Sequence, residues 1–245
     1  MEFAALRDEM VDSLADDAKD VLEEHPTGAA MRAVPRHAFV DVGHRAYTDQ
    51  AFEHAGSRVL APSTVGRLVE ALAPEAGDDV LVVGAGVGYT AAVLAEIVGA
   101  AGVHAVDIDR SLVYEARGNL ADAGYGDVLV DCRDGAGGLP EYAPFDRVLV
   151  EAAVADAPRA LVDQLADGGR LVFPRGVGDQ RLVAVEDGEV AGAFGPVAFA
   201  PLLVDGEQAS AVERNRTVRE DRERAARAAE SRTGWEHEWI DWERR

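Results

Sequence analysis

The 245-residue sequence predicts a doubly wound α/β fold on a mostly parallel sheet. Three observations carry this expectation. Strand-like and helix-like segments alternate from about residue 78 to about residue 176. The strand-like segments, such as VLVV at 80–83 and RVLVE at 147–151, are continuous apolar runs, which suit strands covered on both faces. The first of them ends in Gly84-Ala85-Gly86-Val87-Gly88, a glycine turn where such sheets bind ligands.

In chain order, Phe3, Leu6, Met10, Leu14, Ala18, Val21 and Leu22 recur at helical spacing over residues 3–24. His25-Pro26 interrupts that pattern. A short helix to Ala33 follows, and VPRHAFV at 34–40 reads as an extended approach to the domain. Pro62 can open a helix that runs to about Leu72. DDVLVVGAG is a strand, YTAAVLAEIVG a helix closed by Gly99, GVHAVDID a strand and RSLVYEARGNLADAG a helix. DVLVDCRDG and FDRVLVEAA are strands, PRALVDQLADGG is a helix and RLVFPRG a strand. Residues 180–199 carry a DG turn between two β-like runs and read as a closing hairpin.

Composition changes after Asp205. The segment VERNRTVREDRERAARAAESR is a charged helix candidate held by i,i+4 pairs. Trp235, Trp239 and Trp242 follow at a spacing that puts them on one helical face. They are expected to dock on the core or on another subunit, so an oligomer formed through this tail is possible. The expected organisation is a domain at 1–204, with an N-terminal helical part at 1–45 and a ligand-binding core at 46–204, followed by a helical tail at 205–245.

The formal charge is −21, and the basic residues are arginines apart from Lys19. Such a chain repels nucleic-acid phosphate and anionic membrane surfaces, so neither is expected as a partner. Acidity with lysine almost eliminated suggests a high-salt cytoplasm; a GC-rich genome would explain the arginines but not the charge. No apolar run reaches the ~18 residues of a membrane span. The acidic N-terminus shows no secretory pattern, so a cytoplasmic location is expected. Cys132 is the single cysteine and the histidines are scattered, so no metal site is expected.

The glycine turn departs from the dinucleotide pattern G-x-G-x-x-G, because its third glycine comes one residue early. G-x-G-x-G is instead common in S-adenosylmethionine-dependent methyltransferases. Asp107 ends the second strand, where a carboxylate can accept hydrogen bonds from both ribose hydroxyls. Asp109 is a rival that would equally cap the next helix. Asp134-Gly135 ends the third strand, within reach of an adenine amino group.

The surrounding residues resemble the protein-L-isoaspartate O-methyltransferase family over most of 6–204. LRDEMVDSL, VPRHAFV, AYTD, VLVVGAGVGYTAAVLAEIVG, GYGDVLVDCRDGAGGLPEYAPFD, LADGGRLVFPRG and GPVAFAPL all carry the likeness. The resemblance implies a Rossmann-like methyltransferase fold, S-adenosyl-L-methionine as cofactor and isoaspartyl residues of damaged protein as substrate. It also implies cofactor-binding roles for Val59, Gly84, Ala85, Gly86, Gly88, Asp107, Ile108, Asp134, Gly135 and Glu151. Where the family reads T-I-S-x-P, this chain reads Arg58-Val59-Leu60-Ala61-Pro62. Arg58 and Leu60 thus occupy the family's active-site positions without its hydroxyls. Leucine cannot donate a hydrogen bond, whereas Arg58 offers a planar donor fork suited to a carboxylate or to a surface pair. Two further readings stay open on this loop: a different methyl acceptor, or a cofactor-binding module without catalysis.

Overall fold

A computed structural model describes residues 2–16, 21–22 and 25–204. The described residues fall within one compact unit, Met1–Asp205. The charged tail and its tryptophans, with the docking and oligomer expectations attached to them, lie outside the described residues.

The unit opens with α1 (Glu2–Leu14), which buries Met10, Val11 and Leu14, and α2 (His25–Ala33). The helical spacing expected over 3–24 therefore holds as helix to Leu14. Val21 and Leu22 pack partly buried against the core, and 17–20 and 23–24 are outside the described residues. VPRHAFV is not extended throughout: Arg36–Ala38 forms a 3-10 turn, and Gly43–Tyr47 forms another. A two-stranded ribbon follows, β1 (Phe52–His54) and β2 (Ser57–Val59), joined by Ala55-Gly56. Both turn residues have positive φ, 48° and 76°, the twist that a two-residue hairpin needs.

Helix α3 (Pro62–Leu72) starts on Pro62, as expected, and ends on Ala73 in the left-handed conformation. The main sheet comprises β3 (Val80–Val83), β4 (Val103–Asp107), β5 (Leu129–Cys132), β6 (Phe145–Val150), β7 (Leu165–Arg175), β8 (Gln180–Glu186) and β9 (Glu189–Val197). Its spatial order is β5-β4-β3-β6-β7-β8-β9. The pairs among β5, β4, β3, β6 and β7 are parallel, and the last two pairs are antiparallel. The expected mostly parallel, doubly wound sheet and its closing hairpin are thus observed, with Asp187-Gly188 as the hairpin turn at positive φ.

Along β3, Val80 and Val82 join the core on one side of the sheet, and Leu81 and Val83 join the core on the other. A continuous apolar run is what two buried faces require. Helices α4 (Tyr89–Val98) and α5 (Arg110–Asp122) connect the parallel strands. Asp109 caps α5, its carboxylate accepting from the Ser111 and Leu112 amides. The helix expected over 158–169 is shorter: α6 spans Arg159–Val162 only. β7 already begins at Leu165, and the pairing jumps from Phe145↔Leu165 to Arg147↔Arg170. The extra residues bulge out of the ladder there, with Gly168 at φ 71°.

Candidate active site

The chain runs β3, β4, β5 in one direction across the sheet and then returns to β6 on the other side of β3. This reversal opens a crevice between the carboxyl ends of β3 and β6. Gly84 and Glu151 face each other across it. The Glu151 amide donates to the Val83 carbonyl at 2.8 Å, and a Cβ added to Gly84 would lie 3.3 Å from the Glu151 Cβ. Gly84 therefore serves twice, by its φ of 98° and by the close approach of β6.

A cleft of about 150 Å³ lies along this edge. Gly84, Asp107, Ile108, Gly135 and Glu151 line it, together with Ser57 and residues 200–203. Asp107 is locked in place: its carboxylate accepts from the Gly86 amide and the Asp109 amide, each at 2.9 Å. Burial pushes the Asp107 carboxyl above the usual range, and these amide bonds oppose the shift.

A second, smaller pocket of about 20 Å³ adjoins the glycine turn, with room for a single oxygen or methyl-sized group. Arg58, Val59, Leu60, Ala85, Gly86 and Glu151 line it, together with Arg36, Tyr89 and Thr90. Glu151 borders both spaces. Its Oε1 is buried and has no hydrogen-bond partner. Burial pushes its carboxyl up to about 7; a hydrogen bond from Thr90 opposes this, and the charge of Asp107 adds to it.

Of the residues singled out in the sequence, Gly88 and Asp134 line neither space. Gly88 caps α4 at φ 91°, and a Cβ on it would meet Leu120 at 3.1 Å, so its position answers to packing. The Asp134 carboxylate accepts from the Ala136 amide beside the cleft. Arg58 is exposed on β2, opposite Glu53. Leu60 is partly buried and packs on the core.

Sequence reasoning missed Arg36 and Tyr89. Arg36 is wholly buried, with its Nε donating to the Ala46 carbonyl at 2.9 Å and its Nη2 to the Leu60 carbonyl at 2.5 Å. Its guanidinium carbon lies 4.5 Å from the centre of the Tyr89 ring. Arg36 Nη1 and the Tyr89 hydroxyl are both buried and neither makes a well-formed hydrogen bond; the two residues interact through charge, ring face and a weak polar contact between their side chains. Burial pushes the Tyr89 hydroxyl up to about 12, against the pull of Arg36. No local sequence signal marks the pair, because the carbonyls that hold Arg36 come from residues 46 and 60.

A glycine turn tied to a strand-end carboxylate, above a parallel sheet with a crevice at its switch point, is the Rossmann-like arrangement, and the G-x-G-x-G spacing of the turn is the one common in S-adenosylmethionine-dependent methyltransferases. A sequence profile described as Protein-L-isoaspartate(D-aspartate) O-methyltransferase (PCMT) matches residues 6–207. The chain belongs to this family. It is 43% identical over 184 residues to the protein-L-isoaspartate O-methyltransferase of Aeropyrum pernix, covering 71% of each chain. It is 44% identical over 180 residues to that of Methanocella arvoryzae, covering 71% of this chain and 96% of the relative. The solved structure of a Plasmodium falciparum chain described as a beta-aspartate methyltransferase (PCMT), in complex with S-adenosyl-L-homocysteine, shares the fold. Its TM-score is 0.72 at 18% identity, over 80% of this chain and 98% of that one. No helix among the described residues is long and apolar enough to cross a membrane.

Proposed function

We infer that this chain is a carboxyl O-methyltransferase that uses S-adenosylmethionine to esterify the free carboxylate of isoaspartyl residues in proteins. Family membership across 6–207 is the observation that carries this reading. The residues present fit the cofactor. A buried Glu151 oxygen without a partner, a strand-end carboxylate at Asp107 and a side-chain-free Gly86 with open space beside it meet along one sheet edge.

When bound, S-adenosylmethionine supplies an activated methyl group on a sulfonium sulfur that departs as a neutral thioether. Asp107 accepts from the ribose hydroxyls, Ile108 offers apolar surface to the adenine, and Asp134 stands near its amino group. Gly84, Ala85, Gly86 and Gly135 let the backbone approach closely. Glu151 provides negative charge facing the cationic end of the cofactor, with Val59 on the wall between cofactor and acceptor. Gly88 shapes the start of α4.

On the acceptor side, an isoaspartyl carboxylate of pKa about 4 is already ionised at neutral pH. No general base is required, so the protein's task is to hold one carboxylate oxygen in line with the methyl group and to exclude water. The loop with Arg58 and Leu60 forms the wall on that side. Collapse of the ester to a succinimide, and its reopening, need no residue of this chain.

The test is incubation at high salt with methyl-labelled S-adenosylmethionine and a matched pair of isoaspartyl and aspartyl peptides. Label is expected on the isoaspartyl peptide alone. Cofactor binding with label on neither peptide defeats the reading.

A further inference from the structure

We propose that Arg36 and Tyr89 form the seat for the substrate carboxylate, with Arg36 Nη1 and the Tyr89 hydroxyl as its donors. This deepens the reading above and rests on the acceptor being a carboxylate.

The two donors are singled out by how the rest of Arg36 is used. Nε and Nη2 are committed to the carbonyls of Ala46 and Leu60, which fixes the plane of the guanidinium between two backbone segments. The Tyr89 ring, 4.5 Å below the guanidinium carbon, fixes it from the third side. What remains is Nη1, buried beside the buried Tyr89 hydroxyl; beyond a weak contact between the two side chains, neither makes a well-formed hydrogen bond. Leaving buried polar hydrogens without acceptors destabilises a fold, so a pair of them on one pocket wall calls for an acceptor that the free protein lacks.

The acceptor must be anionic. Among the described residues Arg36 makes no close ion pair; burial lowers its pKa, and the Asp49 carboxylate opposes that shift only in part. A carboxylate answers both needs, because one of its oxygens, which the pocket can admit, accepts from two donors and its charge compensates the guanidinium. The place is also right. Arg36 and Tyr89 line the small pocket together with Gly86 of the glycine turn and Leu60 of the acceptor loop. Leu60 has no donor to offer there. Arg58 is exposed on its strand. The buried, braced arginine is the better-organised donor.

In the reaction, one carboxylate oxygen forms the new C–O bond as the C–S bond breaks and sulfur keeps the electron pair. The donors hold the carboxylate without transferring a proton. The methyl ester is neutral, so the seat holds product less firmly than substrate.

Calorimetric binding of two twin peptides to the enzyme with S-adenosylhomocysteine present tests this without turnover. One peptide carries the isoaspartyl carboxylate and the other the corresponding carboxamide. The wild type is expected to prefer the carboxylate by about tenfold or more. Tyr89→Phe removes only the hydroxyl and leaves the ring under Arg36, so the fold should stand. Arg36→Lys keeps the charge and loses the fork. In each variant the preference is expected to shrink to roughly two- to threefold, with S-adenosylhomocysteine affinity little changed. A preference that stays at the wild-type value in Tyr89→Phe overturns the proposal, whether or not Arg36→Lys folds. The same result in a folded Arg36→Lys protein also overturns it. Failure of the wild type to label any isoaspartyl peptide would instead count against the proposed function.

Discussion

The Asp107 carboxylate accepts the Gly86 amide at 2.9 Å, which ties the end of β4 to the glycine turn that leaves β3. Its other oxygen accepts the Asp109 amide. Asp107→Asn keeps the shape but has only one acceptor oxygen, so one amide would face an NH2 group. The expected result is a stability loss of about 1–3 kcal/mol and at least about tenfold weaker binding of S-adenosylhomocysteine. Urea denaturation and calorimetry read the two effects separately.

Glu151 gives a pH signature. Its folded pKa, about 7, lies above the unfolded value of 4.5. The folded state therefore binds the proton more tightly. The stability this contributes is fully present below about 4.5 and is lost as pH rises through about 7, a change on the order of 3 kcal/mol. Glu151→Gln cannot lose it. The stability difference, Glu151→Gln minus wild type, is expected to grow from pH 4.5 to above pH 7 in ligand-free protein. Denaturation midpoints at several pH values measure it.

The same carboxyl links cofactor binding to protons. A cation bound beside Glu151 favours its ionised form. Binding of S-adenosylmethionine near pH 6 is expected to release a proton in the wild type and none from this site in Glu151→Gln. Calorimetry in buffers of different ionisation enthalpy distinguishes the cases.

Gly135 sits where β5 gives way to the cleft, and a Cβ there would overlap Val83 Cγ1. Val83 is buried in the central strand and cannot withdraw. Gly135→Ala is expected to cost about 1–3 kcal/mol, seen as a lower melting temperature.

Ala73 closes α3 at φ 48° and ψ 57°, a conformation that costs a residue with a Cβ. Its amide donates to the carbonyls of Val69 and Glu70 and needs no side chain. Ala73→Gly is expected to stabilise by about 1 kcal/mol, raising the melting temperature by about 2–4 °C.

What the sequence disclosed follows from periodicity and from glycine. The limits of α3, the apolar runs of β3 and β6, and the glycine turn were legible because burial on two faces and positive φ each leave a residue signature. Of the cleft residues, Asp107 and Gly135 were legible as strand ends, whereas Ile108 and Glu151 came only from the family resemblance. α6 was overestimated because its apolar spacing runs on into residues that the sheet claims. The pairing of Leu165 with Phe145 outweighs helical propensity there. Arg36 was invisible because arginine ordinarily lies at the surface. Its burial depends on carbonyls at Ala46 and Leu60, 10 and 24 residues away, and on the face of Tyr89. No local pattern records such a meeting.

The ribbon of β1 and β2 shares no hydrogen-bond ladder with the seven-stranded sheet. It is braced from outside, by His54 Nε2 against Glu115 of α5 at 2.6 Å. Residues 58 and 60 can therefore be exchanged without disturbing the register of any central strand. The loop proposed to face the acceptor is in this sense a replaceable part. A substitution there can change its chemistry while the sheet edge that carries Asp107, Gly135 and Glu151 stays as it is.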